Sequence, residues 1–258
     1  IIMNFIKGFI TTGRTPRMIL LLFLINFVFS MILAVPMYNS LRNSFGNSLV
    51  SERMGEDFDY LWWEEFRDSA EGLEKTFSPS IIGKGAVLNN LEGLVHFRFF
   101  KLPPVLVFLG LLYIILHTFL AGGIISVFKD ETPKFSMKGF FKGAGTFFPR
   151  FFLLMSISSV LFIIIALFLS GGFNSILRNI KENAVSEIAP FYLSLGFSAI
   201  VLFFILFIQM VFDYGRINIV VEESRNAIKS VLNAFMFVFR HPGSTLGLYY
   251  LILLSHVV

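Results

Sequence analysis

Few residues of this chain could do chemistry. His117 is the sharpest, because it sits inside an apolar stretch with no other charge-bearing side chain near it. An ionisable group deep in such a stretch is costly and often functional. His117 could ligate a haem or chlorophyll, relay a proton, or hydrogen-bond across to Asn26 or Gln209. No second His lies at a matching depth in a complete apolar stretch, so an interhelical hydrogen bond is the plainer reading. Asn26, His117, Gln209 and Asp213 could also line a passage. Asp213 and Arg216 stand three residues apart, the spacing of an ion pair on one helical turn.

A second set is acidic. Residues 38–102 hold ten Asp and Glu against seven Lys and Arg, with Asp57, Asp59, Glu64 and Glu65 closest together. These carboxylates could hold a cation or act as acid and base at a membrane surface. The turn glycine of a calcium loop is missing, however. Acids just ahead of an apolar-periodic run are ordinarily helix caps. There are no cysteines, and no HExxH, P-loop or GxSxG pattern. Thiolate chemistry is therefore excluded, and neither a cofactor nor a metal site is expected. The four His show no metal-ligand spacing.

The elements that must carry these residues are membrane helices. The chain is 55% hydrophobic and 15% charged, with mean hydropathy +0.76. Soluble domains carry roughly 25% charged residues. Apolar residues come in blocks of span length at about Met18–Met37, Pro104–Phe128, Phe151–Ser170 and Pro190–Phe212. A fifth starts near Thr245 and reaches the end of the sequence at Val258, fewer residues than a crossing needs. The 34 Phe read as packing bulk. Ala121, Gly122 and Gly123 would let the second span approach a neighbour closely. In the acidic segment, one amphipathic helix is expected over Phe58–Phe77 and another after Ser78, with a stripe from Val87 to Val95. Trp62 and Trp63 are expected at the membrane surface or against a partner.

Charge gives an orientation. Residues 1–17, 129–150 and 213–244 hold twelve Lys and Arg and five acids, a balance of +7. Residues 38–102 and 171–189 balance at −3. Basic residues flanking spans stay on the cytoplasmic side. The N-terminus is thus expected inside and residues 38–102 outside, as a helical cap.

Three basic aromatic runs precede spans: KGFITTGRTPR from Lys7 to Arg17, KGFFKGAGTFFPR from Lys138 to Arg150, and KSVLNAFMFVFRHP from Lys229 to Pro242. They read as interfacial helices over 3–12, 135–148 and 225–240, each ending in a Pro and Arg that turn the chain into the membrane. Lys7, Arg14, Arg17, Lys138, Lys142, Arg150, Lys229 and Arg240 would hold anionic lipid headgroups. Interleaved basic and aromatic residues also suit single-stranded nucleic acid; beside spans, lipid is the expected partner and nucleic acid is not. The ends of the second and fourth spans align at an offset of 92 residues: Gly123 with Gly215, then an apolar stretch, then Asp130-Glu131 against Glu222-Glu223. The chain thus reads as an all-α polytopic bundle of repeated units, each an amphipathic helix followed by a transmembrane hairpin, with the cap inserted in the first. Its segments are 1–37, 38–102 and 103–258.

Ile219, Val220, Val221 and Glu222, followed by Ala227, Ile228 and a basic amphipathic helix, resemble a set of bacterial multi-pass membrane proteins. That set includes the membrane-domain family attached to some glycerophosphodiester phosphodiesterases. The resemblance covers about 213–258, with an echo at 129–170, and implies a bacterial inner-membrane protein with no catalytic residue carried over. The function expected is a non-catalytic scaffold or accessory subunit with protein partners. A transporter or lipid-handling protein is one alternative, and a membrane-surface enzyme using the cap carboxylates is another. Neutralising Lys138, Lys142 and Arg150 together should loosen or invert the following hairpin. A topology reporter fused after Ser170 should then change sides in a fraction of molecules, and an unmoved reporter would rule out the anchoring role.

Overall fold

The computed structural model describes residues 1–46, 50, 52, 58–77, 93, 102–129, 134–183 and 188–255. Every regular element among them is helical. Helix α1 is Ile2–Gly13, α2 Pro16–Phe45, α3 Tyr60–Ser69, α4 Pro104–Val127, α5 Met137–Asn183, α6 Ile188–Val221, α7 Ala227–Arg240 and α8 Pro242–Ser255. Four stretches are long and apolar enough to cross a membrane: Pro16–Phe45, Pro104–Val127, Met137–Phe168 and Pro190–Val221. The fifth apolar stretch, of which the sequence carries about 14 residues, is helical as α8, with 14 residues described.

Contacts divide the chain into two compact units, Ile1–Ile19 with Ile114–Val258, and Leu20–Tyr113. In the larger unit, α6 packs on both α5 and α7. On α5 a buried stripe runs Phe140, Ala144, Phe147, Phe151, Leu154, Ser158. Its alternating steps of four and three are the spacing of a helix–helix seam. Phe147, Phe151 and Leu154 meet Phe212, Ile219 and Val220 of α6 and Ala227 of α7 in one core.

Helix α5 corrects the expected turn at Pro149-Arg150. The chain stays helical from Met137 through Asn183 with Pro149 inside it. At 47 residues it is about 70 Å long, more than twice the ~30 Å hydrocarbon thickness. Proline removes one backbone hydrogen bond. Here Pro149 lies on an exposed face, while buried Phe147 and Phe151 clamp the helix on either side of it. The expected break at Thr15-Pro16 does occur, since α1 ends at Gly13 and α2 starts at Pro16.

Helix α7 begins at Asn226, whose side chain accepts from Lys229 N at 3.0 Å. It has two apolar faces. Ala227, Ser230, Ala234 and Val238 are buried, while Ile228, Leu232, Phe235 and Phe239 recur at helical spacing on an exposed face. Small residues pack on protein and large ones face outward. Helix α1 shows only the second kind, with Ile2, Ile6 and Phe9 exposed.

In the smaller unit, α2 runs eight residues past the expected end of its span, through Pro36, to Phe45. Its last turns carry Leu41 and Phe45 against a core of Val50, Trp62, Phe66 and Ala70, with Phe58, Trp63 and Phe77 around it. Trp62 is 6% exposed and donates Nε1–H to Ser44 Oγ at 3.0 Å. It therefore does not rest on a membrane surface or on a partner; its large apolar ring is the centre of this core. The single helix expected over Phe58–Phe77 also ends early, at Ser69. Ala70 turns extended and Gly72 takes φ +53°, which favours glycine. A 3-10 turn at Glu74–Thr76 then brings Phe77 back onto Trp62 and Phe66. The helix expected after Ser78 lies outside the described residues.

Glycine sets how closely α4 and α5 approach. A Cβ on Gly123 would meet Phe140 ring carbons at 2.8 and 2.9 Å and the Phe140 carbonyl oxygen at 2.9 Å. A Cβ on Gly122 would meet the Ala144 carbonyl oxygen at 3.2 Å. Gly123→Ala should destabilise the protein by ~1–3 kcal/mol, because the carbonyl cannot yield without moving the helix. The check is thermal unfolding in detergent against Gly145→Ala, whose new methyl meets nothing within 4 Å. Equal melting temperatures for the two variants would refute the close-approach argument.

Candidate functional site

A polar cluster lies on α6. Gln209, Asp213 and Arg216, at spacing four and three, share one face. Arg216 Nη1 donates to Asp213 Oδ1 at 2.7 Å, and Gln209 Nε2 reaches the same oxygen at 3.4 Å. Arg216 is 15% exposed and Asp213 37%. Tyr249 of α8 packs on the neighbouring core of Met210, Val211 and Val238 and is close enough to feel both charges. Arg216 Nε is buried without a hydrogen-bond partner. The guanidinium is neutralised at its tip, so the arrangement is that of a fixed ion pair, with the buried Nε–H left unpartnered.

Asn26 is engaged elsewhere. Its Nδ2 donates to Leu22 O at 2.8 Å and its Oδ1 accepts from Tyr113 Oη at 3.0 Å. The Asn26–Tyr113 pair lines a groove of about 570 Å³ in the smaller unit, walled by Phe23, Phe27, Leu106 and Leu109. Sequence reasoning missed Tyr113, although a tyrosine inside a span needs a partner for its hydroxyl. His117 lies on an exposed part of α4. Gln209 and Asp213 are brought together, then, while Asn26 pairs with Tyr113. The lining of the Asn26–Tyr113 groove includes neither His117 nor Gln209 nor Asp213. Ala121 is half-buried against the core of α5 and α6, beside Gly122 and Gly123.

The acidic candidates are placed differently. Asp59 caps α3, accepting from Leu61 N and Trp62 N at 3.1 Å each. Glu64 and Glu65 are exposed on that helix, so they offer no cleft in which a carboxyl could serve as an acid. Asp57 lies outside the described residues. Among the described residues no group of three or more His, Cys, Asp or Glu could hold a metal ion.

The basic residues separate into two kinds. Lys7, Arg14, Arg17, Lys138, Lys142, Lys229 and Arg240 are exposed. Arg150 is half-buried, donates Nη1–H to Ser224 O at 3.1 Å, and lies 5.6 Å from the centre of the Phe147 ring. Next to it Lys129, just past α4, pairs with Glu223. Glu223 has φ +50°, an uncommon conformation for a non-glycine residue, and Ser224 N closes the turn onto Ile219 O at 3.1 Å. The connection between α6 and α7 is thus held from two sides, by Lys129 and by Arg150. Neither Lys129 nor Ser224 stood out in the sequence, because the residues they meet are 94 and 74 positions away.

These features define a class: among the described residues, an all-helical chain with four helices able to span a membrane, polar pairs inside them, and a charged junction at their ends. No family model, curated protein or solved structure matches it.

Hydrogen bonding and charge from Lys129 hold the Glu223 carboxyl below the usual carboxylate range. A depressed pKa means that the pair contributes above the unfolded value, about 4.3, and is lost as pH falls through the lower folded value. The melting-temperature difference between the wild type and Glu223→Gln should be flat from pH 7 down to about 5 and vanish in stronger acid. A difference that grows on acidification would contradict the pair.

Proposed function

We propose that this protein is a non-catalytic scaffold or accessory subunit of a larger assembly in a bacterial inner membrane. One observation carries this reading. Only 6% of the most apolar window of α2 is buried within the chain, against 17% for α4 and 22% each for α5 and α6. Phe23 is 62% exposed and Val28 64%. A helix of a self-sufficient bundle buries a stripe of its surface, so α2 offers its length to something else. The fixed pairing of Asp213 with Arg216 supports a structural role.

In this reading the N-terminus and residues 129–150 and 213–244 are cytoplasmic, and residues 38–102 form the outer cap. The units 136–150 and 226–240 are related copies. Ser136 accepts from Gly139 N at 3.1 Å and Asn226 from Lys229 N at 3.0 Å. Each cap is followed eight residues later by a buried alanine, Ala144 and Ala234. Each helix also lies close to a glycine of the preceding span, Phe140 to Gly123 and Val231 to Gly215. A transporter reading has less support, since Asn26 is bonded to Tyr113 and Gln209 to Asp213.

A photo-crosslinking residue at Phe23 or Val28 of the full chain, in native membranes, should capture one polypeptide partner in fixed ratio. Crosslinks to lipid alone at both positions would overturn the scaffold reading.

A further inference from the structure

A groove of about 420 Å³ in the larger unit is walled by Pro149, Arg150 and Leu153 of α5 and by Arg225 through Ile228 at the start of α7. We propose that it binds the phosphate of an anionic glycerophospholipid, with Arg150 and Arg225 as its two contacts. The proposal stands apart from the scaffold reading, because it concerns a different face and a different ligand.

Two guanidiniums line one small groove. Arg150 is preorganised: the Ser224 carbonyl and the Phe147 ring fix its direction. One of its N–H groups is taken by that carbonyl, and a guanidinium has five. Arg225 is exposed, with no ion-pair partner among the described residues. The nearby acid, Glu223, is already paired with Lys129. The Asn226 side chain is engaged by Lys229 N. Among the described residues that line the groove, an anion meets two arginines and no carboxylate, and Arg forks match phosphate oxygens.

The rest of the groove selects a lipid over free phosphate. Leu153 and Ile228 are 45% and 54% exposed and apolar. Beyond Arg150 the sequence has no charged residue until Arg178. Arg150 thus marks the level at which polar chain gives way to apolar span, where headgroup phosphates lie and acyl chains begin. A phosphate held there would lay its tails along Leu153 and the exposed Ile228, Leu232 and Phe235 of α7. A zwitterionic headgroup would bring its own cation toward two arginines and the adjacent Lys229; phosphatidylglycerol would not.

The test is native mass spectrometry of the full chain in neutral detergent, titrated with phosphatidylglycerol, phosphatidylcholine or inorganic phosphate. One phosphatidylglycerol per chain should be retained in preference to phosphatidylcholine. Arg225→Gln, which removes no side-chain hydrogen bond or ion pair among the described residues, should lower that occupancy about tenfold, the size of one charge-assisted contact, at an unchanged melting temperature. Lys7→Gln should leave it unaltered. Equal retention by the wild type and Arg225→Gln, equal retention of the two lipids, or displacement of phosphatidylglycerol by inorganic phosphate would each overturn the site.

Discussion

The close approach of α4 and α5 at Gly123 and Phe140 is one of the tight helix contacts from which the larger unit is built. Between helices in lipid there is no hydrophobic drive of the aqueous kind, so association rests on dispersion at short range and on polar contacts. Dispersion falls away steeply with separation, which is why a residue without a Cβ matters at this crossing. Phe140 sits on Gly123 at one end of the buried stripe of α5, and further along it Phe147, Phe151 and Leu154 receive α6 and α7. Gly215 meets Val231 in the same way where α6 approaches α7.

The second constraint is charge at the ends of the spans. Lys129 and Arg150 come from different helices and converge on Glu223 and Ser224, which fixes the exit of α6 and the entry of α7. A residue in the left-handed region at Glu223 lets the chain reverse there while its carboxylate stays turned toward Lys129. Surface ion pairs alone contribute little. Here the pair acts together with a backbone hydrogen bond and a capped helix, and the gain is geometric definition of the junction rather than energy.

The smaller unit follows a different rule. Its core is aromatic and lies at the end of α2, where Trp62 stacks between Phe45 and Phe66 with Phe77 edge-on. An indole needs a partner for its N–H when buried, and Ser44 supplies it. The acids of α3 are left on the outside, in solvent, where they do not oppose that burial.

What the sequence determined by itself was the membrane class and the address of the helices. Blocks of apolar residues, Thr15-Pro16, and the Asp59 cap are local features, and local features are readable from a single chain. The four spans and the break between α1 and α2 came from them. Residue type alone did not reveal continuity through Pro149, because helix survival there depends on Phe147 and Phe151 being buried by α6. Nor did it reveal that Trp62 is core, since a tryptophan beside a span suits an interface equally well by composition. The partners of Lys129, Arg150 and Asn26 were decided by tertiary structure for one reason: each lies dozens of residues away, and only folding brings them within hydrogen-bonding distance.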